Sequence, residues 1–267
     1  MTPICPETPA APTPGDTYVQ SFARGLEVIR SFSAQSPRQT LSEVAGRTGL
    51  TRAGARRILL TLQTLGYVDS DGRQFRLTPR ILDLGFAYLS SLPIWNLAEP
   101  IMEALVSQLK ESCSAAVLDG TDIVYVMRVP THKIMSIGLG VGSRLPAYCT
   151  SMGRMLLSSL AQEDMMRVLH ASNRVARTRY TATDLDEVVA RIAQVRRQGW
   201  SLVNQELEEG LVSVAAPITD RAGRMVAALN ISGQANRTSA EVMQETMLPP
   251  LLAAAQAISS RLAVQRL

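Results

Sequence analysis

The sequence predicts an α+β protein in two parts, a small N-terminal module of helices with a β-hairpin and a larger C-terminal antiparallel sheet domain with helices. The first observation is the distribution of charge. Residues 18–80 hold ten arginines and four acidic residues, whereas residues 81–267 hold 17 charges of each sign. The second is a series of short helical patterns, followed by a turn-rich β pattern, in the basic part. The third is the alternation of β-runs and amphipathic helices in the rest of the chain.

The length of 267 residues suits two modest domains. We expect a disordered tail at 1–17, which has five prolines among its first 14 residues, then a module at 18–78, a linker helix at 79–95 and a second domain at 96–267. No apolar run reaches the roughly 18 residues of a membrane span, and the N-terminus lacks the basic and apolar parts of a secretory signal. A cytoplasmic protein without a membrane segment is therefore expected.

Cysteine and histidine usage gives no sign of a metal site. The chain contains Cys5, Cys113 and Cys149 with no CxxC pair, and its histidines are His132 and His170. Zinc sites need closer groups of such ligands. We expect no metal and no cofactor, and a reduced, intracellular protein.

Three helices are predicted in the N-terminal module. The first is indicated by apolar residues that recur at helical spacing: Phe22, Leu26, Ile29 and Phe32. Thr40 and Glu43 form a capping box that starts a second, short helix, and Gly49 ends it. Thr51 then caps a third helix after a tight connection, so the second and third helices are predicted to form a helix-turn-helix.

The third helix, in TRAGARRILLTLQTLGYV (Thr51–Val68), is predicted to present its arginines outward. Its apolar side consists of Ala55, Ile58, Leu59, Leu62 and Leu65, and its polar side of Arg52, Arg56, Arg57, Gln63 and Thr64. Small Ala53 would let the first turn approach a groove floor. Leu60 falls on the polar side, and we expect it to pack beneath the hairpin. The simplest alternative is a solvated cationic helix face.

A hairpin carrying two more arginines follows in GYVDSDGRQFRLT, with its turn at Asp71–Gly72. A helix-turn-helix followed by such a hairpin is a winged helix, which predicts binding to double-stranded DNA. Arginine can read guanine or neutralise phosphate, and the sequence does not assign these roles. The predicted DNA-binding residues are Thr40, Thr51, Arg52, Ala53, Arg56, Arg57, Arg73 and Arg76.

The segment PRILDLGFAYLSSL predicts a linker helix that Pro79 opens and Pro93 ends. Its apolar residues spread around nearly the whole circumference and must be covered. A second subunit is the favoured cover, because symmetric dimers read palindromic operators. Packing against the chain's own domains is the alternative.

The C-terminal part reads as hairpins with interspersed helices, and it resembles the GAF and PAS ligand-sensing modules. The sheet is expected to be covered on one face. The strand pattern groups small polar residues with apolar ones on one face: Leu211, Ser213, Ala215, Val226, Ala228, Asn230 and Ser232. A final helix starts near Ser239, and Pro249–Pro250 is expected to interrupt it.

A helix that begins at Thr150 or Ser151 in GSRLPAYCTSMGRMLL would add a wall whose free N–H groups suit a carboxylate. Together these walls predict a cavity for a small organic acid. The alternatives are plain helix capping and polar residues that reach solvent. Catalysis would need Cys149, Ser151 or Ser213 as nucleophile, and the sequence shows neither a histidine partner nor a GxSxG elbow.

Taken with these elements, GYVDSDGRQFRLTPRILDLG and VGSRLPAYCTSMGRMLL resemble the IclR family of transcriptional regulators over residues 18–262. RYTATDLDEV and ELEEGLVSVAAPI are most similar to the subgroup governing catabolism of protocatechuate, β-ketoadipate, 4-hydroxybenzoate and terephthalate. The resemblance implies dimers built through the DNA-binding part and linker, often paired into tetramers, and contact with RNA polymerase in activators.

The resemblance also places effector contacts at Ser151, Met152, Leu211, Ser213, Asn230 and Ser232. Val203 departs from an acidic family position, which suggests a more apolar cavity. The predicted effector-binding residues are Cys149, Thr150, Ser151, Met152, Val203, Leu211, Ser213, Asn230 and Ser232. The expected protein is a regulator, by preference an activator, of aromatic-acid catabolic genes that senses an aromatic or dicarboxylic acid. The alternatives are a repressor of the same type that responds to a non-aromatic small carboxylate, a small-molecule-modifying enzyme with a DNA-binding module, and a constitutive architectural DNA binder.

Overall fold

A computed structural model describes residue 15 and residues 18–90, 94–131 and 139–264. The chain divides into two compact units between Ser90 and Ser91. Apart from Gly15, the predicted tail lies outside the described residues, as does Pro93. The linker helix at 79–95 stays a proposal.

The first unit is a winged helix-turn-helix, as predicted. Its helices are α1 (Gln20–Arg30), α2 (Leu41–Thr48), α3 (Arg52–Thr64) and α4 (Leu82–Ser90), the last preceded by a 3₁₀ turn (Pro79–Ile81). Its strands are β1 (Arg38–Thr40), β2 (Val68–Ser70) and β3 (Gln74–Leu77), which pair antiparallel in the order β1-β3-β2. The core contains Val28, Val44, Ala45, Ala55, Leu59, Leu62 and Val68.

Several apolar residues of this unit lie on its surface. Phe22 is 68% exposed and Leu26 37%, whereas Val28 is buried in the core and Ile29 and Phe32 pack against it. Leu65 is exposed at the end of α3. Leu60 is also exposed rather than buried beneath the hairpin. Helical spacing identified apolar faces correctly but did not reveal which of them this unit itself covers.

The second unit contains an antiparallel six-stranded sheet in the order β6-β5-β4-β9-β8-β7. Its strands are β4 (Ser112–Asp119), β5 (Asp122–Val129), β6 (Arg144–Pro146), β7 (Ser201–Asn204), β8 (Leu211–Thr219) and β9 (Met225–Gln234). Its helices are α5 (Ile94–Leu109), α6 (Ser151–Ser158), α7 (Gln162–Ala171), α8 (Leu185–Gln198), α9 (Ala240–Val242) and α10 (Leu248–Val264).

Helices cover both faces of this sheet, so the prediction of a single covered face was wrong. Consecutive residues of β8 from Val212 to Ala216 are buried, although they point alternately to opposite faces. Helix α6 packs on one face, where Met152 and Met155 join Ala215 and Ala228 in one core, and α10 packs against β8 and α5.

Pro249 and Pro250 do not interrupt the last helix, so that prediction was wrong. Between α9 and α10 the chain forms a π turn at Met243–Met247, and the helix continues through Pro249 and Pro250. A proline has no N–H to donate to the preceding turn, and the wider π turn provides a way to accommodate that loss.

Candidate functional site: a basic helix and a polar cavity

The helix-turn-helix geometry is fixed by side-chain caps. The backbone N–H of Thr40 donates to the Glu43 carboxylate at 2.7 Å, and Glu43 N–H donates to Thr40 Oγ1 at 3.4 Å. The Thr40 backbone bond is the main cause that lowers the pKa of Glu43. Gly49 turns the chain with φ 65°, and Thr51 Oγ1 accepts from Gly54 N–H at 3.1 Å. Thr40 and Thr51 therefore orient α2 and α3.

The three arginines of α3 are free to meet a polyanion. Arg52, Arg56 and Arg57 are exposed, and none of their guanidinium groups makes an ion pair or hydrogen bond with any residue that the structure describes. Thr51 and Ala53 are exposed beside them. The first two turns of α3 thus form a cationic, sterically open surface.

The wing contributes less positive charge than the sequence suggested. Arg76 donates to Asp69 at 2.6 Å, and this bond is the main cause that lowers the pKa of Asp69. Asp71 accepts from the backbone N–H groups of Arg73 and Gln74 and so fixes the turn. The Arg73 side chain is exposed and has no ion-pair partner among the described residues. Of the two predicted wing cations, only Arg73 keeps an uncompensated charge.

In the second unit, one cavity brings together all nine predicted effector-binding residues. Its lining also includes Tyr125, Arg128, Leu139 and Leu207, which the sequence reasoning missed. The enclosed volume is about 30 Å³, room for a few water molecules. An organic acid with an aromatic ring could enter only if lining side chains move.

The helical wall of the cavity is the start of α6. Thr150 caps this helix by accepting from Gly153 N–H at 3.2 Å, and its own hydroxyl donates to the Pro146 carbonyl at 2.9 Å. The Thr150 hydroxyl is therefore engaged in the fold. Ser151 accepts a hydrogen bond from the Ser213 hydroxyl at 2.9 Å, which joins helix and sheet across the buried site.

The sheet wall is made of residues aligned across neighbouring strands. Val203 pairs with Ser213, and Ser213 pairs with Ser232. Asn230 donates through Nδ2 to Ser232 Oγ at 2.9 Å, whereas Asn230 Oδ1 is buried without a hydrogen-bond partner. Asn230 is also in register with Ser114 on β4. This face therefore combines small polar groups with one unsatisfied acceptor.

A β-bulge explains why Tyr125 and Arg128 escaped prediction. Simple alternation along β5 would place these two residues on opposite faces, because they are three positions apart. Tyr125 pairs with Ala116 and Arg128 with Ser114, and the register shifts between Ala115 and Ala116. Since residues 114 and 116 share a face, the extra residue on β5 turns Tyr125 and Arg128 to the same side.

Arg128 is the cation of this cavity. Its guanidinium donates to Ser114 Oγ at 3.2 Å. Burial raises the pKa of the Tyr125 hydroxyl to about 12, so Tyr125 stays neutral beside it. The signal in the sequence was a single arginine in the apolar run DIVYVMRV, and it becomes meaningful only once the register is known.

The candidate nucleophiles occur in settings that favour binding over bond formation. Burial raises the pKa of the Cys149 thiol to about 11, so the reactive thiolate is scarce at neutral pH. Ser151 and Ser213 form a hydrogen bond with each other rather than with a base.

Among the described residues, no group of His, Cys, Asp or Glu could hold a metal ion. Within that part of the chain, no helix is long and apolar enough to cross a membrane.

Two family models match the chain over both units. The IclR helix-turn-helix domain matches residues 21–72, and the C-terminal domain of the bacterial transcriptional regulator IclR matches residues 86–260. The chain belongs to the IclR family. This agrees with the winged helix and with the cavity in the second unit.

Several named proteins are similar to this chain over most of their own length. The Pca regulon regulatory protein of Pseudomonas putida is 43% identical, over 92% of this chain and 84% of its own length. The p-hydroxybenzoate hydroxylase transcriptional activator of Acinetobacter baylyi is 34% identical, over 88% of this chain and 89% of its own. The inducer-binding domain of the Acinetobacter PobR transcription factor, solved as a double mutant with 3-hydroxybenzoic acid, is 30% identical with a TM-score of 0.59, covering 63% of this chain and 97% of its own.

Proposed function

We propose that the protein is an effector-responsive transcriptional regulator, by preference an activator, of genes for aromatic-acid catabolism. The observation that carries the proposal is that one chain has both a set of unpaired arginine side chains on α3 and, in its second unit, a cavity lined by Arg128 and small polar groups. Both family matches and the relatives named above support it. The buried thiol and the paired serines favour a binding role over catalysis, and we propose no enzymatic activity.

The DNA-binding surface is proposed to be the start of α3 with the wing. Thr40 and Thr51 position the helices, Arg52, Arg56 and Arg57 face the groove, and Ala53 permits close approach. Arg73 contacts phosphate, whereas Arg76 acts mainly by holding the wing through Asp69. The expected site is a palindromic operator in double-stranded DNA.

Replacing Arg56 with glutamine is expected to weaken operator binding about 5- to 150-fold, because a bidentate arginine–guanine contact contributes about 1–3 kcal/mol. Binding is measured by fluorescence anisotropy with the promoter DNA of neighbouring genes. Arg30→Gln is the matched control, since Arg30 is exposed on α1 and its loss removes the same charge. Equal effects of both changes, or equal wild-type affinity for scrambled DNA at moderate salt, would refute sequence-specific binding at α3.

A second copy of the chain is proposed to cover the exposed apolar residues of the first unit. Phe22 on α1 and Leu82 and Phe86 on α4 are each about two-thirds exposed. Beside them lies an open, mostly apolar groove of about 900 Å³, lined mainly by α1 and α3. Exposed apolar surface on this scale marks an interface. We propose a homodimer, or a dimer of dimers, that reads the two halves of the operator.

The effector is proposed to be a small aromatic or dicarboxylic acid whose carboxylate binds Arg128. Arg128→Gln is expected to weaken binding of the acid about 10- to 150-fold, because charge-assisted hydrogen bonds contribute about 1.5–3 kcal/mol. Calorimetric titration with benzoates, phthalates and oxo-diacids measures this. Arg224→Gln is the control, because Arg224 is 80% exposed and does not line the cavity. Silence of every acid with the wild type would refute the effector site.

Binding and regulation are proposed to be coupled by the size of the cavity. A ring cannot fit into about 30 Å³, so the bound protein must rearrange its lining. A ligand controls DNA affinity only if it binds the two arrangements differently. As an activator acting in the cytoplasm, the protein would also contact RNA polymerase.

A further inference from the structure

The connection between α7 and α8 is a long loop that the second unit holds in place. This α7–α8 loop comprises residues 172–184 and contains neither helix nor strand. Connections of this length without secondary structure are uncommon, and they are usually either disordered or functional. The loop is fixed by hydrogen bonds to the residues beneath it, yet it does not line the effector cavity. Its order therefore indicates a separate function.

Two threonines tie the α7–α8 loop to the connection between β7 and β8. Thr178 Oγ1 donates to the Gln205 carbonyl at 2.7 Å, and Thr181 Oγ1 donates to the Glu206 carbonyl at 2.6 Å. Gln205 and Glu206 lead directly into Leu207, which lines the cavity. Movement of that part of the lining therefore moves two anchors of the loop.

A tyrosine ties the same loop to the helical wall of the cavity. The Tyr148 hydroxyl donates to the Val175 carbonyl at 2.7 Å, and the Arg177 guanidinium lies beside the same hydroxyl. Tyr148 is buried and directly precedes Cys149, which lines the cavity just before α6. The loop is therefore connected to both walls of the cavity.

The outer side of the α7–α8 loop presents two arginines beside apolar side chains. Arg177 and Arg179 are exposed, and neither has an ion-pair partner among the residues that the structure describes. Arg179 Cζ lies 4.8 Å from the centre of the Tyr180 ring, and Tyr180 and Val175 are 40% and 46% exposed. Arginine and tyrosine are enriched at the positions that dominate the energy of protein interfaces, and a preformed loop loses little entropy on binding. This surface therefore has the composition and the order of a protein-binding site.

The charge distribution favours an acidic protein over DNA as the partner of this loop. Residues 81–267 hold 17 charges of each sign, so the second unit has no net attraction for a polyanion. The basic excess that suits DNA lies in residues 18–80. Uncompensated arginines beside an exposed tyrosine and valine instead complement a protein surface that carries carboxylates next to apolar side chains.

We propose that the outer side of the α7–α8 loop binds an acidic surface of RNA polymerase. This inference rests on the proposed activator function and adds the contact through which the activator acts. Carboxylates of the polymerase pair with Arg177 and Arg179, while Tyr180 and Val175 pack against apolar side chains beside them. Because both walls of the cavity anchor the loop, its position depends on whether the effector is bound. The contact is therefore effector-dependent.

The experiment is in vitro transcription with the full chain, purified RNA polymerase holoenzyme and the promoter DNA of neighbouring genes, at saturating regulator and acid. The double variant Arg177→Gln/Arg179→Gln is expected to lower activation about fivefold or more, because loss of a dominant interface residue weakens binding by at least that factor. The matched control is Arg221→Gln/Arg224→Gln, which removes two charges from the exposed turn between β8 and β9 of the same unit. The control is expected to activate like the wild type.

Two further measurements identify the step that is lost. Operator and acid affinities of the double variant are expected to stay within about twofold of wild type, since neither arginine lies on α3 or lines the cavity. Photo-cross-linking from Tyr180→p-benzoylphenylalanine in the promoter complex is expected to join the loop to a polymerase peptide rich in Asp and Glu. The cross-link should weaken when the acid is left out.

The outcomes separate this inference from the proposed function. If the wild type binds no operator or no acid, the proposed function is refuted, and the polymerase contact with it. If it binds both but does not activate transcription, the contact is overturned while an acid-responsive DNA-binding protein stands. Equal activation by the double variant and its control also overturns the contact, as does cross-linking to DNA or to a second copy of the chain instead of polymerase. Should the double variant not fold, Tyr180→Ala tests the same surface and should lower activation as well.

Discussion

Glu206→Gln is expected to lower the unfolding midpoint of the second unit by about 6–20 °C. Both Glu206 and Arg154 are almost fully buried. The two Glu206 oxygens accept from the Arg154 guanidinium at 2.6 Å each, and from Arg191 at 2.6 Å and the Ala182 backbone at 3.1 Å. Removing one charge of a buried pair costs about 3–5 kcal/mol, because the other charge stays buried without compensation. In a domain of this size, each kcal/mol lowers the midpoint by about 2–4 °C.

The same change is expected to weaken effector binding, since this ion pair joins two walls of the cavity. Arg154 lies one helical turn after Ser151 on α6, and Glu206 directly precedes Leu207 in the connection to β8. Neither Arg154 nor Glu206 lines the cavity. They therefore affect ligand binding only by holding the lining residues of the two walls in position. Differential scanning calorimetry with and without 4-hydroxybenzoate measures both consequences.

Asp220→Asn is the matched control for Glu206→Gln. Asp220 pairs with Arg224 at 2.8 Å in the same unit, but the Arg224 side chain is 80% exposed. Exposed pairs contribute about 1 kcal/mol or less. Equal midpoint shifts in the two variants would mean that the buried charges contribute no more than a surface pair.

Local rules were enough to predict the DNA-binding module and the helical wall of the cavity. The capping box at Thr40 and the N-cap at Thr150 depend on residues three positions apart, and the structure contains both. The alternation that groups Ser213 with the polar end of β9 also needs only the neighbouring residues. Sequence reasoning therefore succeeded where the controlling contacts lie within one element.

Long-range contacts account for what the sequence did not reveal. Arg154 and Glu206 are 52 residues apart, so no local pattern in the sequence pairs them. Arg128 joins the cavity because of a bulge that depends on the pairing of β5 with β4. Phe22 is exposed because the described part of its own unit does not cover that side of α1. Periodicity shows that a helix has an apolar side, but it does not show what covers that side.

Gly153→Ala is expected to destabilise the second unit by about 2–5 kcal/mol, although the change adds only one methyl group. A Cβ on Gly153 would come within 2.5 Å of three heavy atoms: the oxygen and Cα of Ala147, and Oγ1 of Thr150. Two of these atoms are backbone and cannot turn aside. The third is the cap that accepts from Gly153 N–H, so relief of the clash would break the hydrogen bond that starts α6.

This distortion would also be transmitted to the effector site, because Thr150, Ser151 and Met152 on the same turn line the cavity. We therefore expect Gly153→Ala to lower both the thermal stability of the second unit and its affinity for the effector. The structure of the helix-turn-helix in the first unit should not change. Gly46→Ala provides the control, since a Cβ at that helical glycine meets nothing within 4 Å. Alanine there should stabilise α2 by up to about 1 kcal/mol through its helix propensity. A Gly153→Ala protein with the wild-type midpoint and effector affinity would show that the close contact between Ala147 and α6 does not hold this wall in place.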